Sequence, residues 1–195
     1  MIMKKTGLIV VIIIGIILIW GVGAYNNIIK KQEAVNKAWG QVENVYQRRT
    51  DLVPNLVALV KNYTEYEQST LVAVTEARAR AAKATVNTDD FDEIEFASFE
   101  SAQRELDNCV NRLLVAVENY PDLKANEEYL TLQAQLAGCE NRIQTERERF
   151  NEAAKAYNQA IRKIPNNLIA NLFGFEKRVY FEALTEGADK APETF

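Results

Sequence analysis

The chain has 195 residues, with 23 Lys plus Arg, 27 Asp plus Glu and no His, for a formal charge of -4. Without histidine there is no Ser-His-Asp or Cys-His catalysis, no His-metal site and no imidazole pH switch, and two cysteines cannot alone build a structural zinc site. Lys4 and Lys5 precede the first apolar run and no acid does, so the remainder carries 21 basic and 27 acidic residues, a balance that repels nucleic acid and anionic lipid.

Eight glycines and four prolines are too few for a turn-rich β protein. The middle of the chain is rich in Ala, Leu, Glu, Lys, Arg and Gln, which is helix-forming composition.

No charge occurs from Thr6 to Ile29, a run of 24 residues. A spanning helix needs about 20 apolar residues, so residues 1–27 are expected to form an N-terminal anchor, with 7–27 in the membrane. Trp20 and Tyr25 sit near its far end, where amphipathic rings favour the interface. A cleaved signal peptide is the competing reading, with "VGA" before Tyr25 as the cleavage site. The long Ile-rich core and the return of helical periodicity at Ile28 favour retention. Lys4 and Lys5 place the N-terminus in the cytoplasm and the body outside the cell membrane, a bias that Lys30 and Lys31 weaken.

Ile28, Val35, Trp39, Val42 and Tyr46 form one helical stripe, and Leu52, Leu56, Leu59, Tyr63, Leu71, Val74, Ala77 and Ala81 a second. Between them "QRRTDLVPNLV" (47–57) reads as a boundary. Arg48 and Arg49 suit the last turn of one helix, Asp51 can N-cap the next, and Pro54 fits its first turn.

"NTDDFDEIE" (87–95) is an acidic connector. A third stripe carries Phe99, Leu106, Val110, Leu113 and Val117, and ends before "NYPDLKAN" (119–126), where Pro121 restricts Tyr120. The fourth runs from about Glu127 through Tyr129, Leu132, Leu136, Cys139, Ile143, Glu146, Phe150, Ala153, Tyr157, Ala160 and Ile164, in alternating steps of three and four. Pro165 stops it.

The expected fold is all-α: the transmembrane helix, then an antiparallel four-helix bundle with long helices over 28–185, then a disordered tail over 186–195. A single long coiled coil is the alternative, against which Pro54 and Pro121 argue. Alternation places the 48–54 and 119–126 turns at one distal tip, and the 84–94 connector and the C-terminal segment near the bilayer.

Four constellations follow. Arg48, Arg49, Asp51 and Pro54, together with Tyr120, Asp122 and Lys124, form a candidate partner-binding tip; the plain reading is a helix boundary. Glu67 and Glu146 fall at or near core positions, where a carboxylate is costly unless paired; they form a candidate buried polar layer, with Arg78, Arg112, Arg142 and Arg147 as candidate partners.

Cys109 and Cys139 both lie about 18–20 Å from the shared turn at about 1.5 Å per residue, so they are a candidate disulfide, against two buried thiols. Leu172, Phe173, Phe175, Tyr180 and Phe181, within "NNLIANLFGFEKRVYFEA" (166–183), form a candidate membrane-contact patch; the plain reading is a strap closing the base of the bundle.

The strings "AYNNIIKKQEAVNKAWGQVENVYQRRTDLVPNLVALVKNY", "ENYPDLKANEEYLTLQAQL", "CENRIQTERERFNEAAKAYNQAIRKIP" and "GFEKRVYF", behind an N-terminal anchor, resemble the LemA family over nearly the whole chain. The resemblance implies a single-pass bacterial membrane protein with a helical-bundle body. It supplies no catalytic residues, and Cys109 and Cys139 depart from the family's usual pattern.

The expected function is a membrane-anchored, non-enzymatic scaffold that binds an unknown protein partner. The alternative is a self-assembling protein that organises or shapes the membrane. No cofactor, metal, nucleic acid or small-molecule substrate is expected.

Overall fold

The apolar run at the N-terminus does not end its helix. In the computed structural model, which describes residues 2–63, 67–88 and 91–181, α1 runs unbroken from Ile2 to Tyr63. At about 1.5 Å per residue these 62 residues extend about 93 Å. There follow α2 (Gln68–Ala81), α3 (Glu93–Val117), the single turn α4 (Pro121–Lys124), α5 (Glu127–Arg162) and α6 (Asn166–Phe173). The described residues are otherwise turns and extended segments. The expected tail over 186–195 lies outside the described residues.

The helix boundary expected at 48–54 does not exist. Pro54 is inside α1. A proline there has no N–H for the carbonyl four residues back, and such a position ordinarily kinks or breaks a helix. The freed carbonyl is that of Thr50, and Arg78 of α2 donates its Nε–H to it at 3.0 Å. A side chain from the neighbouring helix thus replaces the missing intrahelical bond. α1 ends only at Tyr63, about 14 Å beyond Pro54 along the helix axis.

The core falls into two clusters along the length of α1. The distal one gathers Val53, Leu56 and Val60 with Leu71, Val74, Leu106, Leu113, Leu123 and Leu132. The proximal one gathers Ile28, Val35, Trp39, Val42 and Tyr46 with Phe91, Phe96, Phe99, Phe150, Tyr157 and Phe181. Trp39 is wholly buried, and its ring meets those of Phe91, Phe96, Phe99, Phe150 and Phe181 at centroid distances of 5.2 to 5.9 Å. Such pairs contribute about 0.5–1.5 kcal/mol each beyond area burial. The connector carrying Val86 and Phe91 therefore packs at the level of Trp39, well above the bilayer end where alternation put it.

The backbone terminates its helices by local means. Asp92 caps α3 by accepting from the N–H groups of Ile94 and Glu95, and Asn126 caps α5 by accepting from Glu128 and Tyr129, as expected of short polar side chains at a helix start. Gly174 closes α6 with φ 71°, a left-handed conformation in which a Cβ is strained.

Beyond α6 the chain turns back along α5 as an extended strap. Asn158 accepts from Arg178 N–H at 2.9 Å and donates to its carbonyl at 2.8 Å. Asn151 does the same to Phe181, at 2.9 and 3.0 Å. Seven helical residues rise about 10.5 Å, and three extended residues cover about 10 Å, so the two rungs are in register. The strap delivers Phe181 to the Trp39 cluster.

If Arg78 compensates for Pro54, the two positions are coupled. Arg78→Met should cost about 1–3 kcal/mol by orphaning the Thr50 carbonyl. The same change in a Pro54→Ala background should cost much less, because an alanine N–H restores the intrahelical donor. Urea unfolding of the four variants in detergent measures this cycle; additive costs would refute the coupling.

Candidate functional site

With α1 continuous, its buried positions read Val42, Tyr46, Arg49, Val53, Leu56 and Val60, in steps of four, three, four, three and four. Arg49 is thus a core position occupied by a cation. On α3 the same alternation reads Phe96, Phe99, Gln103, Leu106, Val110 and Leu113, which puts a glutamine in the core. Arg49 and Gln103 are both nearly fully buried, and they meet.

Arg49 Nη2 donates to the carbonyl oxygen of Gln103 at 2.9 Å and to its Oε1 at 3.1 Å. Arg49 Nη1 lies 3.4 Å from both Asp107 Oδ1 and Glu140 Oε2. The guanidinium also sits 5.2 Å from the Tyr46 ring centroid. Gln103 Nε2 in turn donates to the Ala81 carbonyl at 3.3 Å. One polar layer therefore ties α1, α2, α3 and α5 together between the two apolar clusters. Arg147 of α5 adds a pair with Glu100 of α3 at 2.9 Å and lies over the Phe181 ring.

The magnitudes rank these contacts. Asp107 and Glu140 keep 38% and 43% of their side chains exposed, so water screens those ion pairs and each adds little. The bonds to Gln103 are buried, and an unsatisfied partner there costs more. The layer is chiefly a hydrogen-bonded clamp of the α1–α3 register. The cavity beside it, lined by Tyr46, Arg49, Glu100 and Arg147 among others, has a volume of about 60 Å³. That admits a few waters, whereas small-molecule pockets take about 300–1,000 Å³. Among the described residues no group of three His, Cys, Asp or Glu side chains converges to hold a metal.

The candidate sites read from the sequence separate. Arg48 and Pro54 are exposed on the flank of α1, and Asp51 accepts from Gln47 one turn away. Arg49 stands about 21 Å along the axis from Tyr63, where the distal tip lies. The tip is built instead by Tyr63, Glu67, Tyr120 and Asn126: Tyr120 Oη donates to Glu67 Oε1 at 3.3 Å, and Asn126 Nδ2 donates to Tyr63 Oη at 2.9 Å. Asp122 is exposed there, and Lys124 pairs with Glu118. The seven residues expected at one tip thus divide into two groups, because Pro54 lies inside α1 and marks no boundary.

Glu67 and Glu146 do not share a layer. Glu67 is at the tip, where it also accepts from Thr70, and Glu146 pairs with Arg149 one turn along α5. The polar layer is centred on Arg49 and Gln103 instead, and carrying the α1 alternation through Pro54 would have found it. Cys109 and Cys139 are buried free thiols in place of the candidate bridge. Cys109 borders the groove between α2 and α3 beside Arg80.

The membrane-contact patch also divides. Phe181 is buried on Trp39, Phe96 and Phe150, and Tyr180 Oη accepts from Asn158. Phe175 is half-buried against Tyr25, while Leu172 and Phe173 are exposed.

Two measurements test the layer. Arg49→Met should lower stability by about 1–3 kcal/mol by leaving the Gln103 acceptors unpaired. Arg49→Lys should recover little, since an ammonium lacks the planar fork; full recovery by lysine would mean that charge alone matters. The second is alkaline. Burial pushes the Tyr46 phenol above its ordinary 10.0, against the lowering pull of Arg147 and Arg49, and burial raises Tyr129 and Tyr157 likewise. The unfolded chain therefore releases these protons first, and stability should fall as pH rises above about 10. Tyr46→Phe should flatten that fall in urea midpoints measured from neutral to alkaline pH; an unchanged slope counts against the shift.

Comparison with known proteins adds the lineage. The chain is 27% identical over 180 residues to magnetosome protein MamQ 2 of Paramagnetospirillum magneticum, covering 84% of this chain and 66% of the relative. It matches MamQ of Magnetospirillum gryphiswaldense to the same extent, so it spans just under two thirds of those relatives. It is 23% identical over 173 residues to protein LemA of Metamycoplasma hominis, covering 89% of this chain and 75% of that one. The LemA family model matches residues 38–194, from the middle of α1 through the strap and beyond. The chain belongs to the LemA family.

Proposed function

We propose that this chain is a non-enzymatic scaffold, anchored in the cell membrane by the apolar part of α1, that holds a protein-binding surface at a set distance from the bilayer. The observation that carries this reading is the continuity of α1: the apolar stretch long enough to cross a membrane and the stripe that organises the core belong to one helix. Between Ile28 and Tyr63 it rises about 53 Å, so the tip is carried stiffly away from the span. In this reading α1, α2, α3 and α5 run up, down, up and down as an antiparallel four-helix body. The Tyr63–Asn126 and Glu67–Tyr120 bonds at one end and the Tyr25–Phe173 ring contact at the other support that arrangement. Lys4 and Lys5 favour a cytoplasmic N-terminus and an extracytoplasmic body.

The relatives named as magnetosome proteins favour a second reading, a self-assembling protein that organises or shapes the membrane. One experiment separates the two. Photo-crosslinking residues placed at Asp122 and Tyr63 in native membranes should yield a discrete adduct with a second protein. A flexible Gly-Ser insert between Asn26 and Asn27 should abolish that adduct while leaving membrane insertion intact. Adducts at multiples of the chain's own mass, rising with expression level, would support self-assembly. Adducts at neither position would count against the tip as a docking surface.

A further inference from the structure

The body meets the apolar span without a gap. From Thr6, the first residue after Lys5, to Tyr25 is 20 residues. At about 1.5 Å per residue these cover about 30 Å, the thickness of a hydrocarbon core. Tyr25 therefore stands where acyl chains give way to headgroups. α6 is packed at that level: the Tyr25 and Phe173 rings lie 4.8 Å apart, and a methyl group placed on Gly21 would be 3.7 Å from Ile169 Cδ1. The inward side of α6 is Ile169 and Ala170, against the proximal core.

Its other side faces away from the protein. Leu168 is 64% exposed and Leu172 75%, and Ile164 just before the helix is 86% exposed. Leu168 and Leu172 are one turn apart and share a face. In the stretches of chain that lead out of the span and flank α6, 26–33 and 162–177, the cations are Lys30, Lys31, Arg162, Lys163 and Lys177 and the acids are Glu33 and Glu176. Five cations against two acids make these stretches locally basic, in a chain whose formal charge is -4. This local excess reverses the repulsion from anionic lipid expected of the body as a whole. An apolar helix face flanked in sequence by cations, held at the headgroup level, has the composition of an interfacial helix.

We propose that α6 is a second membrane contact. Its Leu168–Leu172 face lies in the headgroup–acyl boundary of the leaflet that Tyr25 reaches, and the flanking cations engage anionic phospholipid headgroups. A single spanning helix leaves the body free to rotate about the helix axis. A second contact beside that axis fixes which side of the body faces the bilayer. The proposal rests on α1 being retained in the membrane.

The test uses the full chain with Cys109→Ala and Cys139→Ala, reconstituted into phosphatidylcholine vesicles with and without phosphatidylglycerol. An environment-sensitive fluorophore is attached at Leu168→Cys or Leu172→Cys, with the exposed Val115→Cys on α3 as reference. The expected result is blue-shifted emission and strong quenching by spin-labelled lipid at 168 and 172, deepened by phosphatidylglycerol, with neither at 115. Aqueous emission at 168 and 172 in chains that float with the vesicles would overturn the proposal and leave the anchor standing. Chains that fail to float would overturn both. Blue-shifted emission without lipid quenching would mean that protein covers the face; loss of that shift on dilution in lipid would identify a second copy. A blue shift that is strong in phosphatidylcholine and unchanged by phosphatidylglycerol would overturn the role of the flanking cations.

Discussion

The bond from Arg78 to the Thr50 carbonyl is the contact on which the rest of the structure depends. Pro54 removes the natural partner of that carbonyl, and a helix without a replacement would bend or stop there. With the carbonyl satisfied at 3.0 Å, α1 keeps its phase across the proline. That phase turns Arg49 inward and holds Tyr46 and Val53 on the same stripe. It also lets one helix serve both as the apolar stretch and as the longest wall of the body.

Arg49 then divides the core. Below it lies the aromatic cluster around Trp39, and above it an aliphatic cluster around Leu56 and Leu113. A cation in the middle of a core is costly unless its donors are used, and both Nη atoms of Arg49 are bonded while its buried Nε has no partner. Here Gln103 supplies a carbonyl and an amide oxygen, and two half-exposed carboxylates balance the charge. A slip of one helix by a single turn would leave these groups unmatched. A polar layer of this kind specifies register, which greasy stripes alone do not.

The proximal end is closed by a different device. Asn151 and Asn158 present side-chain amides two turns apart, and the extended strap pairs with them as it would with the edge of a sheet. The strap brings Phe181 into the aromatic cluster and holds α6 against Gly21 and Tyr25. The apolar stretch of α1 is thereby gripped where the body begins.

Much of this is legible in the residues alone. Composition, the uncharged run and the three-four periodicities determined an all-helical chain with one stretch long enough to cross a membrane, because those properties depend on each residue and its neighbours within a few turns. The start of α5 near Glu127 is legible for the same reason. The tertiary structure decided the rest. Whether Pro54 ends a helix depended on a residue 24 positions later and on another helix. Whether Arg49 belonged to a surface turn or to a buried layer depended on that outcome. Phe181 became core and Leu172 stayed outside because of the direction in which the strap returns, which rests on two asparagines with no local signal. Local patterns determine which elements form; partners distant in sequence decide where those elements end and which of their side chains meet.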